Sequence, residues 1–239
     1  KKNGRAGIEK ETNEMINENL SSNLYKIWNR MASGSYFPPA VRTVLIPKKQ
    51  GGNRPLGIPT VGDRIAQGVV KDYLETIVEP LFHNNSFGYR PGRSAHDALA
   101  QCQQNCIQHA WVVDLDIKGF FDNISHEWMM KMVSHHTQEK WVLLYIERWL
   151  KAGIEQADGS IAAREKGTPQ GGVISPLLAN LYLHHAFDMW MSRYYPSNPF
   201  ERYADDIIVH CNSKEEAVLL LASIRERLAG FELELHPEK

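Results

Sequence analysis

The sequence predicts an α+β fold whose second half is an antiparallel sheet in split β-α-β-β-α-β order, with its helices on one face. Three observations predict it. Short apolar stretches at 111–117, 200–203, 207–211 and 231–235 have strand length and β-branched or aromatic content. A tight Ala204-Asp205-Asp206 turn joins the middle two into a hairpin. Helical periods at 175–193 and 214–229 fill the crossovers once 124–174 is set aside as an insertion.

Residues 9–32 read as a helix, with Met15/Ile16, Leu20, Leu24, Ile27/Trp28 and Met31 returning to one face. Val41–Pro47 and Arg54–Pro59 flank Lys48-Lys49-Gln50-Gly51-Gly52-Asn53, which reads as a hairpin with a basic tip. Residues 62–79 form a helix with two apolar rows, Ile65/Val69/Tyr73/Ile77 and Ala66/Val70/Leu74/Val78. Helix 95–109 is capped by Ser94 with Asp97 three residues on. Trp111–Ile117 is a strand, 126–135 and 138–151 are helices, and a small hairpin turns at Asp158-Gly159. Ser175-Pro176 starts the next helix, and Ser213 with Glu216 opens the helix over 214–229. The last strand is Phe231–Leu235. Both ends of the chain read as cuts in a longer protein.

The overall charge of −1 hides an asymmetry. Residues 1–71 carry 12 Lys+Arg against 5 Asp+Glu, and residues 72–239 carry 15 against 23. The first third thus has the electrostatics of a phosphate-binding surface, while the rest is rich in carboxylates. No apolar run approaches the roughly 20 residues of a membrane helix, so no membrane partner is expected. Three cysteines are too few for a disulfide framework, and a reducing, cytoplasmic setting is expected.

Asp205 and Asp206 at a hairpin turn, with an Asp on the neighbouring strand, could hold two Mg²⁺ ions and support transfer of a nucleotide with pyrophosphate as leaving group. Asp114 and Asp116 are two apart and share a face; Asp116, nearer the strand's end, is favoured. A solvated turn is the bland reading of Asp205-Asp206. The apolar Ile207, Ile208 and Val209 weigh against it by tying the acids to a buried strand. Lys48 and Arg54 on opposite arms of the basic hairpin could fold over a triphosphate. The glycines of Thr168-Pro169-Gln170-Gly171-Gly172 would let backbone and the Gln170 amide approach a ligand. Of Phe120 and Phe121, one is expected in the core and one against a sugar, where it would exclude a 2′-hydroxyl.

In order along the chain, IPKKQGGNRPLGIPTVGDRIAQ (46–67), SFGYRPGRSAHDAL (86–99), DIKGFFDNISH (116–126), GTPQGGVISPLLANLYL (167–183), RYADD (202–206) and LELHPEK (233–239) resemble the conserved blocks of reverse transcriptases, most closely those encoded by group II introns, the maturase type. The resemblance implies a right-hand polymerase of fingers and palm with the thumb absent. Fingers would span 1–91 and 124–174, and palm 92–123 and 175–239. It implies that Asp116, Asp205 and Asp206 are the catalytic metal-site carboxylates and that Lys48 and Arg54 contact the incoming dNTP. Gln170 would lie against its sugar, Phe121 would discriminate sugars, and Lys239 would protonate the leaving pyrophosphate. Arg64 and Arg90 would be RNA or nucleotide contacts. The implied cofactor is a pair of Mg²⁺ ions, and the implied partners are intron RNA template, DNA primer and dNTPs. An uncovered apolar palm surface would also favour a homodimer.

An RNA-binding splicing factor and an RNA-dependent RNA polymerase are the competing readings. The paired acids argue against a pure binder, and Phe121 argues for deoxynucleotides. Cys102, Cys106 and His109 lie at i, i+4 and i+7 of a helix with Ala95, Ala98 and Leu99, and they read as helix core rather than a zinc site. The adjacent pairs His135-His136 and His184-His185 point apart on a helix and make poor clamps.

Overall fold

The computed structural model describes residues 6–47, 53–156 and 158–236. In chain order the elements are α1 (Asn13–Glu18), α2 (Leu20–Ala32), β1 (Val41–Pro47), β2 (Asn53–Ile58), α3 (Val61–Val78), α4 (Ala95–Gln108), β3 (Trp111–Asp116), α5 (Phe120–Asn123), α6 (His126–His136), α7 (Lys140–Lys151), β4 (Ile154–Glu155), β5 (Ile161–Ala162), α8 (Ser175–Leu183), α9 (Met189–Tyr194), β6 (Phe200–Tyr203), β7 (Asp206–Cys211) and α10 (Lys214–Ala229). They fall into two compact units, residues 1–75 with 133–175, and residues 76–132 with 176–239.

The first unit holds a four-stranded sheet ordered β2-β1-β4-β5. The basic hairpin pairs antiparallel in register from Arg42↔Ile58 to Pro47↔Asn53, and β1 runs parallel to β4. Of the two apolar rows of α3, Ala66, Val70 and Leu74 are fully buried, while Val69 in the other row is half exposed. Tyr145, Ile146 and Trp149 from α7 complete this core. The predicted helix over 9–32 breaks at Asn19, the C-cap of α1 and N-cap of α2. Its apolar face is largely uncovered: Ile16 is buried, but Leu20, Leu24 and Trp28 are exposed.

The second unit holds the three-stranded sheet β3-β7-β6, with β7 antiparallel to both neighbours. Val113, Leu115, Ile207 and Val209 alternate onto a buried face, against which Leu220, Ile224 and Leu228 of α10 are also buried. The segment expected to be strand 231–235 instead turns through Phe231 and Glu232, the latter with φ +60°. Leu235 alone bridges to Ile117 among the described residues, flanked by the Lys118 N–H donating to Glu234 and the His236 N–H donating to Asp116. That short contact puts the final segment beside β3, which completes the split β-α-β-β-α-β order. The helix over 175–193 passes through one π-helical turn, His184–Asp188, between α8 and α9.

Helix α4 departs from its expected packing. It carries the Ser94–Asp97 capping box, but Leu99 is 66% exposed and Cys106 is exposed, so neither is core. The helix meets β6 and β7 through a polar side chain, Asn105, its one buried residue.

Candidate functional site

Strand register brings two of the predicted acids together. Asp116 and Asp206 are directly paired across β3 and β7, and Tyr203 pairs with Asp206 across the β6–β7 hairpin. Paired residues of antiparallel strands have Cα atoms about 4.5–5.5 Å apart. Asp114 shares the Asp116 face but pairs with Ile208, two residues deeper along β7. Asp205 occupies the two-residue loop beside Asp206 and is half-buried, and Asp206 is exposed. Like charges placed opposite one another repel, so a cation shared between the paired acids would relieve them, but the oxygens of Asp116, Asp205 and Asp206 are not all drawn within 4.8 Å of one another in this structure. A set of carboxylate oxygens is the donor chemistry that magnesium takes. Asp116 is also held along its backbone, since its carbonyl accepts from the His236 N–H at 2.8 Å.

The hairpin loop is built on a buried polar frame that the sequence alone does not single out. Ala204 has φ +58°, a conformation that costs a non-glycine residue energy and persists only when its surroundings enforce it. Gly88 packs against it so closely that a Cβ there would lie 2.3 Å from the Ala204 nitrogen. The Gly88 carbonyl accepts from Asn180 Nδ2 at 2.7 Å. Arg202 ties the frame together, with Nη1 donating to Asn180 Oδ1 at 3.0 Å and to the Ala204 carbonyl at 3.1 Å. Its Nε and Nη2 donate to the two carboxylate oxygens of Asp188 at 2.8 and 2.6 Å. The Arg202 and Asp188 side chains are both fully buried. Asp188 closes the π-helical turn, an irregularity common near functional sites. The sequence does hold one signal: Asn180 and Asp188 interrupt the otherwise apolar runs of 177–183 and 186–191.

Past β3 the chain enters α5, where Phe120 is buried and contacts Phe121 and Tyr182 edge-on at centroid distances of 5.5 and 6.4 Å. Phe121 is half-buried. Phe120 is thus the ring of the pair that belongs to the core.

In the first unit the loop at 168–174 is locked to β2 and α3. The Gly57 N–H donates to the Gln170 carbonyl at 2.6 Å. Gly171 has φ +115°, and a Cβ there would sit 2.3 Å from the Gly57 oxygen, so this position admits only glycine without rearrangement. Gln67 Oε1 accepts from the Val173 N–H at 2.7 Å, and its Nε2 donates to Asp63. Asp63 also accepts from the Tyr36 hydroxyl and Trp149 Nε1, at 2.9 and 2.7 Å. Burial pushes the Asp63 carboxyl above the usual range, against the pull of those donors, and burial likewise raises the Tyr36 hydroxyl. The Gln170 side chain is half-exposed beside this frame, and Arg64 is half-buried on α3.

The remaining expected contacts divide. Arg54 pairs with Ile46 in the β1–β2 ladder, which fixes its backbone. Lys48 and Lys239 lie outside the described residues. Arg90, expected as an RNA contact, turns inward: Nε donates to Glu79 at 2.8 Å, and Nη1 donates to the carbonyls of His83 and Ser86 at 2.7 Å each. Only 6% of its side chain is exposed, which suits a brace for the 79–90 segment.

The profile of the family described as "Reverse transcriptase (RNA-dependent DNA polymerase)" matches residues 46–239. Group II intron-encoded protein LtrA of Lactococcus lactis subsp. cremoris is 41% identical over 160 residues, 66% of this chain and 26% of that protein. Protein YkfC of Escherichia coli K12 is 35% identical over 198 residues, 80% of this chain and 51% of that protein. This chain therefore spans between a quarter and a half of these relatives. A telomerase from Candida tropicalis, solved in complex with a fragment of telomeric RNA, superposes with a TM-score of 0.65 at 13% identity, covering 95% of this chain and 44% of that one. That is a likeness of fold alone.

Proposed function

This chain belongs to the reverse transcriptase (RNA-dependent DNA polymerase) family, and from that premise we propose that it carries the catalytic centre of a group II intron reverse transcriptase, which copies intron RNA into DNA from dNTPs on a DNA primer. The observation that supports this most is the direct pairing of Asp116 with Asp206, one residue from Asp205. Divalent metal ions are the family's cofactors, and here the proposed occupants are two Mg²⁺ ions held by Asp116, Asp205 and Asp206. Ions so placed would stabilise the attacking and leaving oxygens together.

The other roles rest on the chain's own chemistry and its likeness to the family. Lys48 and Arg54 would bind the triphosphate, Arg with planar paired donors and Lys as a point charge. Gln170, carried on a loop fixed to Gly57 and Gln67, would meet the sugar. Phe121 would bar a 2′-hydroxyl, Arg64 would contact RNA, and Lys239 would donate a proton to the leaving pyrophosphate. The fingers would comprise 1–91 and 124–174, and the palm 92–123 and 175–239. An RNA-binding role in splicing is the second reading, favoured by the excess of cations in residues 1–71. A cytoplasmic setting and self-association complete the proposal. No helix among the described residues is long and apolar enough to cross a membrane.

Primer extension on an RNA template, in the longest available form of the protein, tests this. Asp206→Asn should cut dNTP incorporation by about a hundred- to a thousandfold, by analogy with loss of a principal charge-stabilising group, while RNA binding persists. Undiminished extension by the Asp205→Asn/Asp206→Asn variant would refute the site.

A further inference from the structure

We propose that Cys102, Cys106 and His210 bind one soft divalent transition-metal ion, zinc by its donor set, at a site separate from the paired aspartates. Cys102 and Cys106 stand one turn apart on the same face of α4, and β7 brings His210 up to them. The three ligand atoms all lie within 4.8 Å of one another. Cys106 Sγ is 4.0 Å from His210 Nδ1. Sulfur and nitrogen bound tetrahedrally to zinc, at about 2.3 and 2.0–2.1 Å, are separated by about 3.5 Å. The Cys106–His210 pair therefore needs a contraction of roughly half an ångström, and the two pairs that include Cys102 need at most about 1 Å or slightly more. His210 pairs with Val112, four residues along β7 from Asp206, so the two centres are about 13 Å apart along the strand.

What distinguishes this cluster from a chance grouping is its outer layer. His210 Nε2 lies 2.7 Å from Glu201 Oε2, and both side chains are buried. With the Nε2 proton donated to that carboxylate, Nδ1 carries the lone pair and faces the thiols, the tautomer that a metal requires. The other Glu201 oxygen accepts from Asn105 Nδ2, a side chain on α4 between the two cysteines. The polar side chains around the site thus fix both the orientation and the basicity of the histidine. Binding expels thiol protons, because the thiolate is the ligand, and should strengthen as pH rises. Cys106 is exposed, which leaves room for a water as fourth ligand and a path for entry. An ion here would staple α4 to the sheet, where the helix otherwise offers one buried residue.

Titration of the reduced, chelator-stripped chain with Co²⁺ tests the assignment. The expected result is one equivalent bound, a thiolate-to-cobalt charge-transfer absorption, and displacement by one equivalent of Zn²⁺. Cys106→Ser alters an exposed side chain and should leave the fold intact while erasing that absorption. Glu201→Gln should keep the absorption but weaken binding by about 10–100-fold, the usual effect of losing an outer-layer partner. Zn²⁺ should raise Tm in the parent chain and not in Cys106→Ser. A cobalt spectrum without sulfur charge transfer, or a zinc response unchanged in Cys106→Ser, would overturn the proposal.

Discussion

Arg202 shows how one buried side chain can govern the placement of acids it does not touch. Its Nη1 donates both to the Ala204 carbonyl and to Asn180, while Nε and Nη2 are fixed by Asp188. Removing one member of a buried ion pair leaves the other charge uncompensated, a cost of about 3–5 kcal/mol. Arg202→Met should therefore lower urea stability by that amount, and adding Asp188→Leu should restore most of it. The double variant still lacks a donor for Ala204, so it should remain on the order of tenfold or more slower in kcat with the dNTP KM unchanged, because small displacements of reacting groups are costly. Equal kcat in the double variant and the parent would show that Arg202 serves stability alone. The pairing of Asp116 with Asp206 is legible in the sequence because a turn and an alternating strand put each acid at a recognisable place. The frame is not, since Gly88 and Asn180 meet across 92 residues of chain, and Asp188 acquires meaning only when the helix end folds back on Arg202. For the same reason His210 is invisible beside Cys102 and Cys106 in the sequence, where the helix-mate His109 stands as the nearer candidate.

At the level of elements, periodicity and caps located nearly every helix and strand, and the misses have physical causes. The segment 231–235 has strand composition, yet Glu232 adopts φ +60° and Tyr182 donates to the Phe231 carbonyl, so the chain turns first and bridges to β3's end only at Leu235. The α4 face assigned to the core is exposed because this helix docks through Asn105 rather than through Leu99. Two glycines make a discriminating pair. Gly171, locked at φ +115° against the Gly57 oxygen, should not tolerate a methyl group. Gly68 lies inside α3, and a Cβ added there would meet nothing within 4 Å, so it carries only the helix penalty of glycine. Gly171→Ala should destabilise the chain by more than about 2 kcal/mol, since steric conflict adds to the strained dihedral. Gly68→Ala should stabilise it by about 0.5–1 kcal/mol. Chemical denaturation of both variants reads the difference directly, and a tolerated Gly171→Ala would mean that the 168–174 loop shifts freely off β2.

Across the whole molecule the decisive property is the division of charge. The first 71 residues carry a balance of +7 and the remainder −8, so a net charge near zero conceals a basic segment and an acidic one. Carboxylates repel a phosphate backbone, and the sequence keeps the excess of cations and the excess of carboxylates in different stretches of chain. RNA held by such cations releases condensed counterions, which makes affinity fall with salt at a slope of about −0.7 per phosphate neutralised on single strands. If about six of the twelve cations in residues 1–71 engage phosphates, the slope of log K against log salt should be near −4. Fluorescence anisotropy with a labelled RNA between about 50 and 200 mM salt should then show a loss of roughly two- to three-hundredfold. Arg64→Ala, at a half-buried position on α3, should make the slope shallower by up to about 0.7 if that guanidinium meets a phosphate. Arg90→Ala should leave the slope alone, because its guanidinium is committed to Glu79, His83 and Ser86. A flat dependence in the parent chain would assign RNA recognition to something other than the basic segment, and the splicing role would lose its support before the polymerase role did.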